Sequence, residues 1–150
     1  MSASESENDS FHILVVEDNR ADFVLLERAF EEEALSGFTL HVAINGDEAL
    51  AFLNQDPPYA DAPRPSIVLL DLNLPGKDGH EVLEAIKTSE KLRRLPVIVL
   101  TSSRSDLDVR QCYDLHANAY MTKASDFEEL LKLVRQITTY WSSAVWLSPD

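Results

Sequence analysis

Short apolar runs alternate with longer amphipathic segments along most of the chain. The runs are rich in Val, Ile and Leu and almost continuous, which is typical of strands buried on both faces of a sheet. The segments between them repeat apolar residues every three or four positions, which predicts helices. The predicted strands are 12–16, 38–43, 66–70, 96–100 and about 117–121. The predicted helices are about 20–35, 47–54, 106–115 and 126–140, with a further one marked by Val82, Leu83 and Ile86.

This order of strand and helix predicts an α/β fold with a doubly wound, five-stranded parallel sheet. The length of 150 residues and the 45% apolar content fit one domain. We expect residues 1–10 to be a disordered acidic leader, 11–140 the domain and 141–150 an apolar C-terminal arm. The proline-rich segment 55–65 can continue neither a helix nor a strand ladder, and we interpret it as a surface insertion.

Charge and cysteine usage restrict the partners and the compartment. The net charge of −13 argues against nucleic acids and anionic lipid surfaces as ligands. No stretch approaches the roughly 18 apolar residues of a membrane span. Cys112 is the only cysteine and cannot form a bridge within the chain, which favours a reducing compartment. We therefore expect a cytoplasmic protein that binds neither nucleic acid nor membrane.

Polar residues follow the predicted strands: Glu17 and Asp18 the first, Asp71 the third, Thr101 the fourth and Lys123 the fifth. Ligands of such sheets bind beyond the carboxyl ends of the strands. Clustered carboxylates repel one another unless a cation lies between them, and hard oxygen ligands favour Mg²⁺. A hydroxyl and an ammonium beside the metal would stabilise phosphoryl transfer. These residues predict a magnesium site with a carboxylate nucleophile.

Four segments carry a resemblance to a known family: Val15–Asp18, Leu69–Gly79, Val99–Ser102 and Ala119–Lys123. In order and spacing they resemble the receiver domain of two-component response regulators, including the chemotaxis regulators. The likeness covers roughly residues 11–140. It implies a flavodoxin-like (βα)5 receiver fold.

The resemblance also implies residue roles. Asp71 would be the phosphoacceptor, and Glu17, Asp18, Asp71 and the main-chain carbonyl of Asn73 would hold one Mg²⁺. Asn73 and Ser103 stand where receivers tune the loss of the phosphoryl group to water. The implied phosphoryl-binding and switch residues are Thr101, Ser102, Lys123 and Tyr120.

One position departs from the family pattern. Receivers usually carry Pro in a cis peptide after the lysine, whereas Ala124 follows Lys123 here. A cis bond before a non-proline residue costs about 3–4 kcal/mol. The sequence leaves open whether the fold supplies that energy or the loop takes another course.

The insertion and the tail make the chain most similar to single-domain response regulators of phytochrome-type histidine kinases. The resemblance implies a phosphoacceptor signalling protein that catalyses only its own phosphorylation and dephosphorylation. Its partner would be a histidine kinase, such as a bacteriophytochrome. The signal would leave through protein contacts or onward phosphotransfer.

Large apolar residues continue the last helical pattern into the tail, and exposed they would form a costly patch. Covering by a second copy would make the chain a homodimer, because aromatic anchors suit an interface. The alternative is that the tail folds back on its own domain. The residues of this predicted dimer arm are Ile137, Tyr140, Trp141, Val145 and Trp146.

Two other functions compete with the signalling hypothesis. Haloacid-dehalogenase-like phosphatases place a second Asp two residues after the nucleophile as a general acid. Asn73 stands there and cannot donate a proton in that way. A flavin- or nucleotide-binding module would need a glycine- or hydroxyl-rich loop after the first strand, and 17–22 is anionic instead.

Overall fold

The computed structural model describes residues 11–33 and 37–149. The predicted leader, residues 1–10, lies outside these ranges. No helix in the described part of the chain is both long and apolar enough to cross a bilayer. In chain order the elements are β1 (Phe11–Val16), α1 (Arg20–Glu32), β2 (Phe38–Ala43), α2 (Gly46–Asn54), β3 (Ile67–Leu70), α3 (Gly79–Thr88), β4 (Val97–Thr101), α4 (Asp106–Asp114), β5 (Ala119–Thr122), α5 (Phe127–Thr139) and a π-helical turn (Tyr140–Ala144).

The five strands form one parallel sheet in the order β2-β1-β3-β4-β5. The predicted α/β fold class is therefore confirmed. In the ladder Val16 pairs with Leu70, and Leu70 pairs with Val99. The carboxyl ends of β1, β3 and β4 consequently lie side by side at one edge. Strand order reverses direction between β1 and β3, which is where such sheets bind ligands.

Helices cover both faces of the sheet, and alternate residues of each strand pack into two hydrophobic cores, one on each face. Ile13 and Val15 pack in a cluster with residues of α1 and α5. Leu14 and Val16 face the opposite way and pack with residues of α2 and α3. Each such side chain contributes about 1.5–3 kcal/mol on burial. The unbroken apolar runs of the sequence are the consequence of burial on both faces.

The observed elements begin and end close to the predicted positions, with two differences. The first helix ends at Glu32 rather than near residue 35, because the chain must turn back to begin β2, and Gly37 makes that turn with φ 90°. The fifth strand begins at Ala119 rather than near residue 117. Ala117 N–H instead donates to Cys112 O and closes the end of α4, and Asn118 Oδ1 accepts from Val97 N–H at 2.9 Å at the start of β4.

Every one of these five α-helices begins at a side chain that accepts a hydrogen bond from its first turn. The capping residues are Asn19, Asn45, Asp78, Ser105 and Asp126. Such caps satisfy backbone N–H groups that have no partner within the helix. The caps of α1 and α3 lie in loops that follow β1 and β3, so they fix the two helices beside the edge where the acids meet.

The proline-rich segment 55–65 lies mostly at the surface, as predicted, and a few of its residues anchor it to the domain. The Tyr59 ring lies 5.5 Å from that of Phe52, and Tyr59 and Ala62 contact the α2–α3 core. Gln55 Nε2 donates to Ala62 O at 2.6 Å across the loop. The segment enters β3 from its amino end, away from the acidic edge.

The predicted arm divides into two parts. Ile137 and Trp141 are 1% and 9% exposed, and they pack with Val145 against the α1–α5 core. Tyr140 and Trp146 remain 57% and 99% exposed. The alternative of folding back therefore applies to three of the five arm residues.

Two histidines that are distant in sequence meet on β1 and β2. His12 Nδ1 lies 3.0 Å from His41 Nε2, and the His41 ring also lies 5.2 Å from that of Phe52. Burial, and to a lesser degree the neighbouring His12, lower the pKa of His41 below its ordinary value of 6.5. Protonation is thus easier in the unfolded chain than in the folded one.

This shift predicts a pH-dependent stability. The unfolded state binds the proton more readily, so the free energy of unfolding should fall as the pH drops through about 6.5. His41→Gln should flatten this dependence in urea titrations between pH 7.5 and 5.5. His116→Asn is a matched control, because His116 is exposed and Asn tolerates its φ of 70°. Equal pH slopes in wild type and His41→Gln would contradict the prediction.

Candidate functional site

Three predicted metal ligands meet at the carboxyl edge of the sheet. Glu17 follows β1 and is 6% exposed, Asp71 follows β3 and is 5% exposed, and Asp18 faces solvent. One carboxylate oxygen of each lies within 4.8 Å of the others. Hard oxygen donors at this separation fit one divalent cation such as Mg²⁺ or Mn²⁺.

Backbone groups orient the two buried acids. Asn19 N–H donates to Glu17 Oε2 at 3.1 Å, and Asn73 N–H donates to Asp71 Oδ1 at 3.2 Å. Asp71 N–H donates a hydrogen bond to Val16 O at 3.1 Å, which continues the ladder of β1 and β3. Asp71 is thus held by the sheet on one side and by its own loop on the other.

Gly79 lets α3 begin directly against the backbone of the acidic loop. A Cβ atom at this position would lie 2.5 Å from Asp71 O and 2.5 Å from Leu72 Cα. Gly79 N–H also donates to Leu72 O at 3.0 Å. A glycine in the Leu69–Gly79 segment therefore has a steric reason: any side chain would displace the acid.

Lys123 provides the positive charge of the site. Its Nζ lies 2.6 Å from Glu17 Oε1, 2.7 Å from Asp22 Oδ2 and 3.0 Å from Asp71 Oδ2. Burial alone would lower the pKa of Lys123, but its hydrogen bonds to Asp22, Glu17 and Asp71 raise it above the ordinary value. The amine is therefore charged at neutral pH.

The negative charge of the site exceeds the positive charge. Burial raises the pKa of Glu17, and nearby Asp71 adds to the rise, against the opposing effects of Lys123 and the Asn19 N–H. Three carboxylates contact the ammonium and Asp18 adds a fourth to the acidic cluster, so four negative charges face one positive charge and three remain unbalanced. A bound divalent cation would offset two of them.

Lys123 reaches the acids without the proline that receivers usually carry. Among the described residues the cis peptide bond is Pro57–Pro58, so the bond from Lys123 to Ala124 is trans. Lys123 N–H donates to Thr101 O at 2.8 Å, next to the β4–β5 ladder. That main-chain contact places the lysine at the acidic edge.

The predicted phosphoryl-binding and switch residues surround the loop between β4 and α4. Thr101 is fully buried, and its Oγ1 accepts from Ser103 N–H at 3.4 Å, whereas Ser102 is exposed. Tyr120 donates its hydroxyl to Ser103 O at 3.0 Å, and Ser103 Oγ donates to Asp108 Oδ2 at 2.6 Å. The loop is therefore tied both to β5 and to α4.

Asp22 was not predicted as a site residue. In the sequence it is only the last member of the anionic stretch 17–22. A signal was nevertheless present, since Asp22 lies three residues after the Asn19 cap, in the first turn of a helix that begins at the acidic edge. The contact with Lys123 spans 101 positions and depends on the fold.

Residues 13–135 match the response regulator receiver domain. The chain belongs to this family. It is 42% identical over 144 residues to the response regulator Rcp1 of a Synechocystis species, covering 96% of this chain and 97% of that one.

Solved structures show the same relationship. The phosphorylated cyanobacterial phytochrome response regulator RcpA superposes with a TM-score of 0.87 at 42% identity, covering 94% of this chain and 99% of that one. The structure of Mn²⁺-bound Rcp1 superposes with a TM-score of 0.83 at 42% identity, covering 92% of this chain and 99% of that one. The resemblance and the flavodoxin-like receiver fold are confirmed, and the chain is a response regulator receiver that matches these relatives over almost their whole length.

The carboxylate cluster predicts a metal-dependent stability of this receiver. Mg²⁺ should raise the melting temperature, because it binds the folded site and relieves repulsion among the acids. Asp18→Asn should weaken Mg²⁺ binding by at least the roughly tenfold that loss of an outer-shell partner costs. Titration calorimetry measures the Mg²⁺ dissociation constants of wild type and Asp18→Asn. Asp61→Asn, an exposed acid of the 55–65 segment, should bind Mg²⁺ as wild type does, and equal constants for all three proteins would refute the assignment.

Proposed function

We propose that this response regulator accepts a phosphoryl group on Asp71 from a histidine kinase in a Mg²⁺-dependent reaction. The observation that carries the proposal is the placement of Asp71. Its carboxylate is buried within a cluster of acids, and Oδ2 lies 3.0 Å from the Lys123 ammonium. A carboxylate so placed can act as a nucleophile toward phosphorus while cations offset the charge of the incoming group.

In the proposed step an Asp71 carboxylate oxygen attacks the phosphorus of a phosphohistidine. The new O–P bond forms as the P–N bond breaks, and the imidazole leaves with its electron pair and takes up a proton. Glu17, Asp18, Asp71 and the Asn73 carbonyl would hold Mg²⁺, which supplies positive charge for the phosphoryl oxygens. Lys123 supplies a second charge from the side of β5.

The residues of the β4–α4 loop would then respond to the phosphoryl group on Asp71. We propose that Thr101 donates its hydroxyl to a phosphoryl oxygen, beside a small Ser102 that leaves room for the donor. Thr101 Oγ1 would then lose the hydrogen bond that it accepts from Ser103 N–H. The Tyr120 hydroxyl donates to the carbonyl of the same Ser103, so the change would reach Tyr120. Ser103 and Asn73 would orient the water that ends the signal.

The names of two relatives support a phytochrome-type kinase as the partner. Rcp1 is named a response regulator and RcpA a phytochrome response regulator. We propose a phytochrome-type histidine kinase, such as a bacteriophytochrome, as the partner in the cytoplasm. The receiver would catalyse only its own phosphorylation and dephosphorylation and would signal through protein contacts or onward phosphotransfer.

Asp71→Asn should abolish labelling, because an amide oxygen is a far weaker nucleophile and lacks the charge that Lys123 faces. Purified protein is incubated with acetyl phosphate and Mg²⁺, and intact mass reports the addition of one phosphoryl group in wild type. Asp78→Asn is the matched control, since Asn caps α3 as well as Asp does and labelling should persist. A labelled Asp71→Asn protein would overturn the acceptor assignment.

We also propose a homodimer through the C-terminal arm. Trp141 and Val145 anchor the arm on the α1–α5 core, while Tyr140 and Trp146 extend outward from it. Tyr140 packs edge-on against Trp141 at 5.3 Å, which continues the core to the surface. A second copy of the same arm would cover both exposed rings, and aromatic anchors of this kind dominate interfaces.

Trp146→Ala should weaken self-association by about 2 kcal/mol, the size of an interface hot spot, or roughly thirtyfold in dissociation constant. Sedimentation equilibrium over a range of concentrations measures it. Tyr113→Ala, which removes an aromatic ring 49% exposed on α4, should leave the constant unchanged. A wild-type mass that stays monomeric at every concentration would rule out the dimer.

A further inference from the structure

We propose that Asp22 is a positioning residue that slows phosphorylation by occupying the Lys123 ammonium. The inference rests on the proposed role of Asp71 as acceptor and adds a residue to its control. It starts from the short distance of 2.7 Å between Asp22 Oδ2 and Lys123 Nζ.

The hydrogen-bonding capacity of the ammonium is fully used. A lysine ammonium has three donors and accepts nothing. Lys123 Nζ has three carboxylate partners: Glu17, Asp22 and Asp71. A phosphoryl oxygen arriving at Asp71 can be bonded by Lys123 only after one of these contacts is released.

Burial decides which contact is released. The side chains of Glu17 and Asp71 are 7% and 5% exposed, so either would lose a partner without gaining water. The Asp22 side chain is 40% exposed and can be hydrated once the lysine leaves. Asp22 is therefore the partner that competes with the incoming phosphoryl group.

The competitor is held in place by its helix. Asp22 N–H donates to the Asn19 side chain at 3.0 Å, which sets the first turn of α1. The Asp22–Lys123 pair thus joins α1 to the start of the β5–α5 loop. Asp22 also adds a negative charge beside a site that an anionic phosphoryl donor must approach.

Asp22→Asn keeps the side-chain shape and removes the charge. An exposed ion pair of about 1 kcal/mol corresponds to roughly a fivefold change in rate. We expect acetyl phosphate to label Asp22→Asn about fivefold faster than wild type, each at its own saturating Mg²⁺ concentration. The gain should shrink as salt is added, because the pair is partly exposed. Asp22→Ala should give the same direction, and Asp22→Glu should restore the slow rate.

Glu27→Gln is the matched control, since it removes an exposed acidic charge from the same helix. Its labelling rate should equal that of wild type, and melting temperatures establish that every variant is folded. Equal rates for Asp22→Asn and wild type, or equal acceleration by Glu27→Gln, would overturn the inference while leaving Asp71 as acceptor. Failure of the wild type itself to be labelled would instead refute the proposed function.

Discussion

The site depends on the attraction between one ammonium and carboxylates from three parts of the chain. Glu17, Asp22 and Asp71 come from the loop after β1, the first turn of α1 and the loop after β3. Buried acids repel one another and cost free energy unless they are paired. Lys123 supplies the pairing that the protein itself contains, and the remaining negative charge is what attracts a divalent cation. The ion pairs of Lys123 thus hold the loops together, and the excess negative charge favours a bound metal ion.

The surroundings of this cluster explain how a small chemical event can reach the surface. Thr101, Ser103 and Tyr120 are linked through the β4–α4 loop, and Ser103 reaches Asp108 on α4. A movement of the Thr101 hydroxyl would therefore disturb contacts of two elements at once. At the opposite end of the sheet the 55–65 segment packs on Phe52 and so stabilises the α2–α3 core.

Much of the architecture was predictable from local patterns. Unbroken apolar runs identified the central strands, and apolar residues repeated every three or four positions identified the helices. Glu17, Asp18 and Asp71 could be assigned to one edge because parallel strands place their carboxyl ends together. The end of the first helix was less accurate, because the chain turns back to begin β2. The start of the fifth strand was less accurate, because the Asn118 side chain accepts from Val97 N–H, a partner 21 positions away that only the folded chain brings near.

By itself, the sequence determined the order of strands and helices, the class of fold and the acids at the strand ends, because each follows from periodicity or from position relative to a strand. Only the tertiary structure decided the Asp22–Lys123 contact, the His12–His41 pair, the packing of Tyr59, and which arm residues are buried. These features join residues far apart in the chain. Their geometry depends on how whole elements pack, and no local pattern of side chains encodes it.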